Sequence, residues 1–414
     1  MRTTIASVGT LLLGVAILLA GQGLQGVLLP VRATMEQFST VLVAFIGATY
    51  YLGFTYGCWK GPEIIQRVGH VRVFAAMTAL ASVSPLLHGL WVNPWSWGVL
   101  RFITGFCFAV LYIVIESWLN ERASNKSRGQ VFSAYILINM TFLAVGQQML
   151  LLQDPLRLDL FAIASVLVSI AAVPVLMSRA DSPEIREQGH SIDFRALYHT
   201  SPAGMLGSLA AGLTNGAFWA LAAVFAAQVS TDVSFAAWLM TMAVIGGALG
   251  QFPLGSLSDR VDRRRVLIGI SFASSLAGLL IWMVASHAST VQLLVFTCAW
   301  GVVAYPIYSI SAAHANDRTH PEDFVMVSSG LLLMFGLGAV VGPFLASGLM
   351  AILDASGLFF FTAVIHLLLG LHVWLRSLRR DAASPEQHTE FSDALTAVIT
   401  VSNVLDEENS EGHE

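Results

Sequence analysis

The chain has 414 residues, 56% of them hydrophobic and 11% charged, with a mean hydropathy of +0.71. A soluble domain carries about 25% charged residues, so a soluble enzyme, a disordered protein and a nucleic-acid binder are all excluded. The formal net charge of −5 hides a split: nine acids and no Lys or Arg lie in residues 381–414, which leaves 21 basic and 17 acidic residues elsewhere, a body of +4. The three cysteines, Cys58, Cys107 and Cys298, have no metal-site spacing and sit in apolar runs, where inert thiols are expected.

A helix that crosses a bilayer needs about 20 mostly apolar residues. Such runs occur at Ile5–Pro30, Phe38–Cys58, Val71–Trp91, Ser96–Leu119, Gln130–Leu152 and Leu158–Met177. They recur at Met205–Gln228, Phe235–Leu257, Val266–Ser286, Thr290–Ala313, Phe324–Leu349 and Gly357–Leu375. The first run is too long for the apolar core of a secretory signal. None alternates as the strand of a membrane barrel would. The expected fold is therefore all-α and integral to the membrane, with twelve transmembrane helices.

Eighteen basic residues fall in alternate loops, from Arg2 to Arg380, against only Arg32 and Arg157 in the others. The positive-inside rule then makes both termini cytoplasmic, in a bacterial inner or plasma membrane. Trp91, Trp95 and Trp97 cluster at one outer turn, as an interfacial anchor would.

The polar stretch 179–202 divides the body into six-helix halves at 1–178 and 203–377, with an acidic cytoplasmic tail at 378–414 expected to be disordered. The halves echo one another. After the second run comes Gly61-Pro-Glu-Ile-Ile-Gln66-Arg67-Val-Gly69-His70-Val-Arg72; after the eighth comes Gly255-Ser-Leu-Ser-Asp259-Arg260-Val-Asp262-Arg263-Arg264-Arg265. Arg67 and Arg260 are 193 residues apart (260 − 67). Internal repetition of a six-helix unit marks secondary transporters.

The second of these loops resembles the signature loop of the major facilitator superfamily, matched at Gly255, Leu257, Asp259, Arg260, Arg263 and Arg264; Asp262 stands where that family usually has Gly. The first copy keeps Arg67, Gly69 and Arg72, with Gln66 in place of the Asp. Trp97-Gly-Val-Leu-Arg101-Phe-Ile-Thr-Gly105, Val114-Ile-Glu116-Ser117-Trp118, Ser127-Arg128-Gly129 and Tyr305-Pro306 are similar to the YcaD-like group of bacterial members. The resemblance implies two pseudosymmetric halves that rock about a central cavity. It also implies that the acid and arginines of the loop latch the cytoplasmic face, with gating weighted to Asp259, Arg260 and Arg264, and topology to Arg265.

Arg101 is the sharpest single feature, because a charge inside a span faces a cavity or a partner. By resemblance, Arg101 and Gly105 fit the Arg-x-x-x-Gly motif of proton-coupled members, whose arginine tunes a nearby proton carrier. A guanidinium also suits an anionic substrate, and snorkelling to the outer headgroups is the bland alternative. Glu116 lies 15 residues further on, about 22 Å along the helix. It is either a proton site or, as the better reading, a fixed partner for Arg67 or Arg72. Gln22, Gln25, Asn139, Asn215, Tyr305 and Tyr308 are the other polar residues at mid-membrane depth, and helix–helix hydrogen bonding is the commoner role for any one of them. The first, fourth, seventh and tenth helices line the cavity in the resembling family. His366 is expected to be packed or at the lipid edge, and His314 at a solvated loop edge.

The expected function is secondary active transport of a small solute by alternating access, proton-coupled, by a monomer without cofactor or metal. No phosphate-binding loop occurs, so the chain does not hydrolyse ATP itself. A transporter-like sensor that binds a solute without moving it is the alternative. A membrane enzyme would need clustered ligands that the sequence lacks.

Overall fold

The computed structural model describes residues 2–122, 128–177, 194–319 and 324–378, and its regular structure there is entirely helical. Most of the linker and the acidic tail read from the sequence lie outside the described residues. The first half holds α1 (Arg2–Met35), α2 (Thr40–Val68), α3 (His70–Leu90), α4 (Pro94–Arg122), α5 (Arg128–Gln148), a 3₁₀ turn over Met149–Leu152, and α6 (Asp159–Leu176). A short α7 (Phe194–Thr200) precedes the second half: α8 (Pro202–Val229), α9 (Val233–Arg260), α10 (Arg263–Val284), α11 (Thr290–Ala304), α12 (Pro306–Asn316), α13 (Phe324–Leu353) and α14 (Gly357–Ser377). By length and composition twelve spans can cross a membrane. One departs from the sequence expectation in being two helices. Pro306 has no amide hydrogen to donate to the helix before it, and the tenth span breaks there into α11 and α12.

Helices are the required solution, because lipid offers no partner for an exposed peptide group. Their ends are fixed by polar caps: Ser39 for α2, Asp232 for α9, Asp262 for α10, and a Ser289–Gln292 capping box for α11. Between α2 and α3 the chain turns at Gly69, whose φ of 91° suits a residue without a side chain. Large apolar side chains such as Leu137, Met283 and Ile352 point outward, as a lipid-facing surface demands.

The repeat is written in glycines. A Cβ on Gly53 of α2 would run into the Phe102 carbonyl of α4, and one on Gly246 of α9 into the Cys298 carbonyl of α11. Gly57 meets Phe106 and Gly250 meets Val302 in the same way. Gly105 abuts the Tyr50 carbonyl, and Gly301 that of Ala243. In the other helix pairs Gly146 abuts Ala20 where Gly342 abuts Leu213. Equivalent positions are 193 apart on the first and second helices of each pairing (246 − 53, 213 − 20) and 196 apart on their partners (301 − 105, 342 − 146). The two halves therefore pack their helices backbone to backbone at matching places.

The hydrophobic cores show how the halves meet. One core spans both: Leu24–Leu29 of α1 and Ile46 of α2 join Ala217–Ala226 of α8, Phe235–Met240 of α9 and Phe359 of α14. All of these lie toward the ends remote from the arginine-rich loops. Toward the arginine-rich ends the cores separate. One, including Phe74, Phe108, Trp118 and Phe132, belongs wholly to the first half. Two others, including Leu267, Ile310, Val327 and Leu331, belong wholly to the second half and α7. Among the described residues the buried apolar core is shared by the two halves on the far side and separate for each half on the basic side.

Candidate functional site: a lone arginine where the halves meet

Arg101 sits two turns into α4 from the far side. One turn further in, Gly105 allows α4 to touch the backbone of α2 at Tyr50. That close approach lays the guanidinium over the Tyr50 ring, 4.2 Å from its centroid. A cation–π contact of this kind contributes about 0.5–2 kcal/mol. The effective penalty for an ion taken out of water is still several kcal/mol. No carboxylate pairs with Arg101 among the described residues. Arg101 is half-buried, and the ring by itself is a weak partner for a guanidinium held partly out of water.

A chain of hydrogen bonds starts from the same tyrosine. Gln22 of α1 donates through Nε2 to the Tyr50 hydroxyl at 2.9 Å. Its Oε1 accepts from the Tyr112 hydroxyl of α4 at 2.6 Å. Tyr112 lies within electrostatic range of Glu116, one turn on. Glu116 is buried and accepts from the Tyr135 hydroxyl of α5 at 3.3 Å. Tyr135 is in turn hydrogen-bonded to Asn139. The first half thus carries a polar track from Arg101 toward the basic side. The expectation that Glu116 partners Arg67 or Arg72 does not match this geometry: Arg67 pairs with Glu63 at 2.7 Å, and Arg72 is exposed.

The second half repeats part of this set and leaves it open. By the repeat, Asn215 of α8 corresponds to Gln22 (215 − 22 = 193) and Tyr308 of α12 to Tyr112 (308 − 112 = 196). The Asn215 Oδ1, the Gln25 Nε2 and the Tyr305 hydroxyl are buried without a hydrogen-bond partner. Tyr305 and Arg101 both lie within electrostatic range of Tyr51, which places them around one junction. A Cβ on Gly26, one turn beyond Gln22 on the same face of α1, would meet nothing within 4 Å. Tyr308 packs on Phe335 of α13, with ring centroids 5.0 Å apart.

On the far side Thr241 of α9 reaches across to α5. Its hydroxyl donates to Gln147 Oε1 at 2.9 Å and accepts from Gln148 Nε2 at 2.7 Å.

The signature loop of the second half is built around Arg263, which is 1% exposed. It pairs with Asp317, at the end of α12, at 2.7 Å and with Asp259, near the end of α9, at 3.1 Å. Arg264 pairs with Asp262 at 3.1 Å. Asp262 is partly buried, which raises its pKa, but hydrogen bonds from the side chain and backbone of Arg264 outweigh this and lower it from the ordinary aspartate value. Arg260 is exposed, and Gly255 is buried against its neighbours. In the first half the counterpart is looser: Lys60 and Arg67 share Glu63, and Gly69 makes the turn. The arginine-rich loop is thereby a tie within one half, joining α9, α10 and α12.

Several residues escaped sequence reading. Tyr50, Tyr51, Tyr112 and Tyr135 look like ordinary aromatic content in apolar runs, and nothing in the sequence singles them out. Asp317 was visible only as a loop acid. Trp97, grouped with an exposed anchor, is fully buried and donates to the Trp91 carbonyl at 2.9 Å, whereas Trp91 and Trp95 are exposed. His314, expected at a solvated edge, is buried and lines a small cleft together with Arg264, Arg318 and Arg376. His366 is fully buried, packed near Trp300. Among the described residues no cluster of His, Cys, Asp and Glu has the shape of a metal site.

Comparison with known proteins agrees with this architecture. The chain has the fold of the major facilitator superfamily. The nucleoside transporter NupG superposes with a TM-score of 0.73 over 92% of this chain and 100% of that one, at 12% identity. A bacterial homologue of the human lysosomal transporter Spinster gives 0.68 over 92% and 97%, at 14% identity. In sequence, the profile of the Major Facilitator Superfamily matches residues 204–406. The chain also resembles the YcaD type of that superfamily. YcaD of Escherichia coli, an uncharacterized MFS-type transporter, is 24% identical over 369 residues, 88% of this chain and 94% of that one. A second uncharacterized MFS-type transporter, from Yersinia enterocolitica, is 25% identical over 324 residues, 78% and 83% of the two chains. These similarities point to transport rather than to enzymatic chemistry.

Proposed function

We propose that the protein is a proton-coupled secondary transporter that moves a small solute by alternating access. The observation that carries this reading is the division of the cores. The halves share one core on the far side and keep separate cores on the basic side. With the basic loops taken as cytoplasmic, this is the arrangement of a carrier open to the cytoplasm. Both termini then lie on the cytoplasmic side of a bacterial inner membrane, and the chain works as a monomer.

Rocking of the halves breaks the far-side contacts and forms new ones between the arginine-rich ends. In that motion the solute meets Arg101, Gln22, Gln25, Asn215, Tyr305 and Tyr308. The loop residues Gly255, Asp259, Arg260, Arg263 and Arg264, with Arg67, Gly69 and Arg72 in the first half, form the cytoplasmic gate. The latch inside the second half keeps α9, α10 and α12 moving as one body. Glu116 is the proton site, relayed through Tyr135 and Asn139. It is the one carboxylate set deep in a described span and held by a hydroxyl rather than by a cation.

An untargeted comparison of intracellular and medium metabolites between deletion and overexpressing strains tests the reading. A compound retained in the deletion and enriched in the medium on overexpression shows export, and the reverse shows uptake. That compound, in proteoliposomes with an imposed pH gradient, should accumulate through the wild type. The Glu116→Gln variant should lose gradient-driven accumulation while still exchanging solute for solute. Binding with no movement by the wild type would replace transport with sensing.

A further inference from the structure

The charge at the junction of the halves is unbalanced in one direction. Arg101 is a fixed cation inside a span, and the groups that surround it, Tyr50, Tyr51 and His88, carry no negative charge to match it. The carboxylate nearest along its own helix, Glu116, is 15 residues away, about 22 Å. In the second half the repeat puts Thr297 where Arg101 stands and Ala243 where Tyr50 stands (297 − 101 = 196, 243 − 50 = 193). The cation therefore has no symmetry mate, and the site as a whole is singly positive.

The rest of the junction is neutral. Tyr50, Phe54 and Tyr112 form an aromatic group on the first half, with ring centroids 6.2–6.3 Å apart from Tyr50 to Phe54 and from Phe54 to Tyr112. Tyr308 and Phe335 form an aromatic pair on the second. Gln25 Nε2 is an unused donor, and Asn215 Oδ1 is an unused acceptor, on residues more than nine-tenths buried. The equivalent amide in the first half, Gln22, is already spent on two tyrosines. Buried polar atoms without partners are rare in proteins and call for an explanation.

These features have one common complement. We propose that the transported solute is a small monovalent organic anion with an apolar or aromatic body, its carboxylate held by Arg101. A planar guanidinium receives a carboxylate with two parallel hydrogen bonds. One cation matches one negative charge; a dianion would leave its second charge buried and unpaired, and a cation would meet like charge. The aromatic walls favour a ring or chain over a hydrated sugar.

The inference rests on the transport reading, and its test separates the two. Metabolites are compared among strains carrying an empty vector, the wild type, Arg101→Gln or Arg101→Lys, with membrane insertion of each variant checked by size-exclusion profile. In parallel, the purified full chain in nanodiscs is titrated with benzoate, benzamide, benzylamine and phthalate. The expected result is a redistributed compound that is anionic at neutral pH. Benzoate should also bind at least tenfold tighter than the other three probes, and that preference should vanish in Arg101→Gln and weaken in Arg101→Lys. A redistributed compound that is neutral or cationic overturns the anion assignment and leaves transport standing. So does equal binding of benzoate and benzamide, an unbound benzoate, or a preference that survives Arg101→Gln. A strain set with no redistributed compound counts against the transport reading itself and takes this inference with it.

Discussion

Arg101 and Tyr50 meet face on, guanidinium over ring at 4.2 Å, because Gly105 lets their two helices touch. The contact holds the guanidinium against α2. Tyr50→Phe keeps the ring and loses only the bond from Gln22. Tyr50→Leu loses both. At about 0.5–2 kcal/mol for the cation–π contact, solute affinity should fall about 2- to 30-fold further in Tyr50→Leu than in Tyr50→Phe. Equal affinities in the two variants would mean that the hydroxyl matters and the ring does not.

The glycine that permits this contact should not tolerate a larger residue. Gly105→Val drives side-chain atoms into the Tyr50 carbonyl, and overpacking of this kind costs about 1–3 kcal/mol. Gly301→Val, at the matching position of the second half, should cost a similar amount. Gly269 has open space around its missing Cβ, so Gly269→Ala should be neutral or stabilising by about 0.5–1 kcal/mol. Thermal melts in detergent distinguish these. A Gly105→Val protein as stable as Gly269→Ala would show that α2 and α4 have room to part.

Thr241 is bound to Gln147 and Gln148 across the far side. Two hydrogen bonds contribute about 1–3 kcal/mol net, so Thr241→Val should move the population toward far-side opening by about 5- to 160-fold. The readout is labelling of Ala217→Cys, buried in the shared core, by an impermeant thiol reagent in a background with the native cysteines changed to serine. Labelling must rise in Thr241→Val; an unchanged rate would remove the clasp from the gate.

The two acids on Arg263 should differ in weight. Asp317 is 2% exposed and Asp259 33%. Removing one partner from a buried pair costs about 3–5 kcal/mol, whereas an exposed pair contributes about 0.2–1 kcal/mol. Asp317→Asn should therefore lower the melting temperature well below that of Asp259→Asn. The reverse order would place the latch at the end of α9 instead of the end of α12.

What could be read along the chain is what depends on one helix at a time. Twelve apolar runs, the sidedness of the arginines and the 193-residue echo between Arg67 and Arg260 are all properties of local composition and spacing. The repeat goes deeper than that echo suggested, since Gly53 and Gly246 keep the same offset. Arg101 stood out because a charge in lipid is costly wherever its helix points. Its partner did not, because Tyr50 is one of several tyrosines in apolar surroundings, and only the crossing of α2 and α4 selects it. The same holds for Arg263. Three consecutive arginines look alike in the sequence, and the packing of α9, α10 and α12 alone turns one of them inward to Asp317. Composition sets what a helix is. Which of its faces meets a neighbour, and therefore which side of the bundle is closed, is decided by contacts between segments some fifty to ninety residues apart.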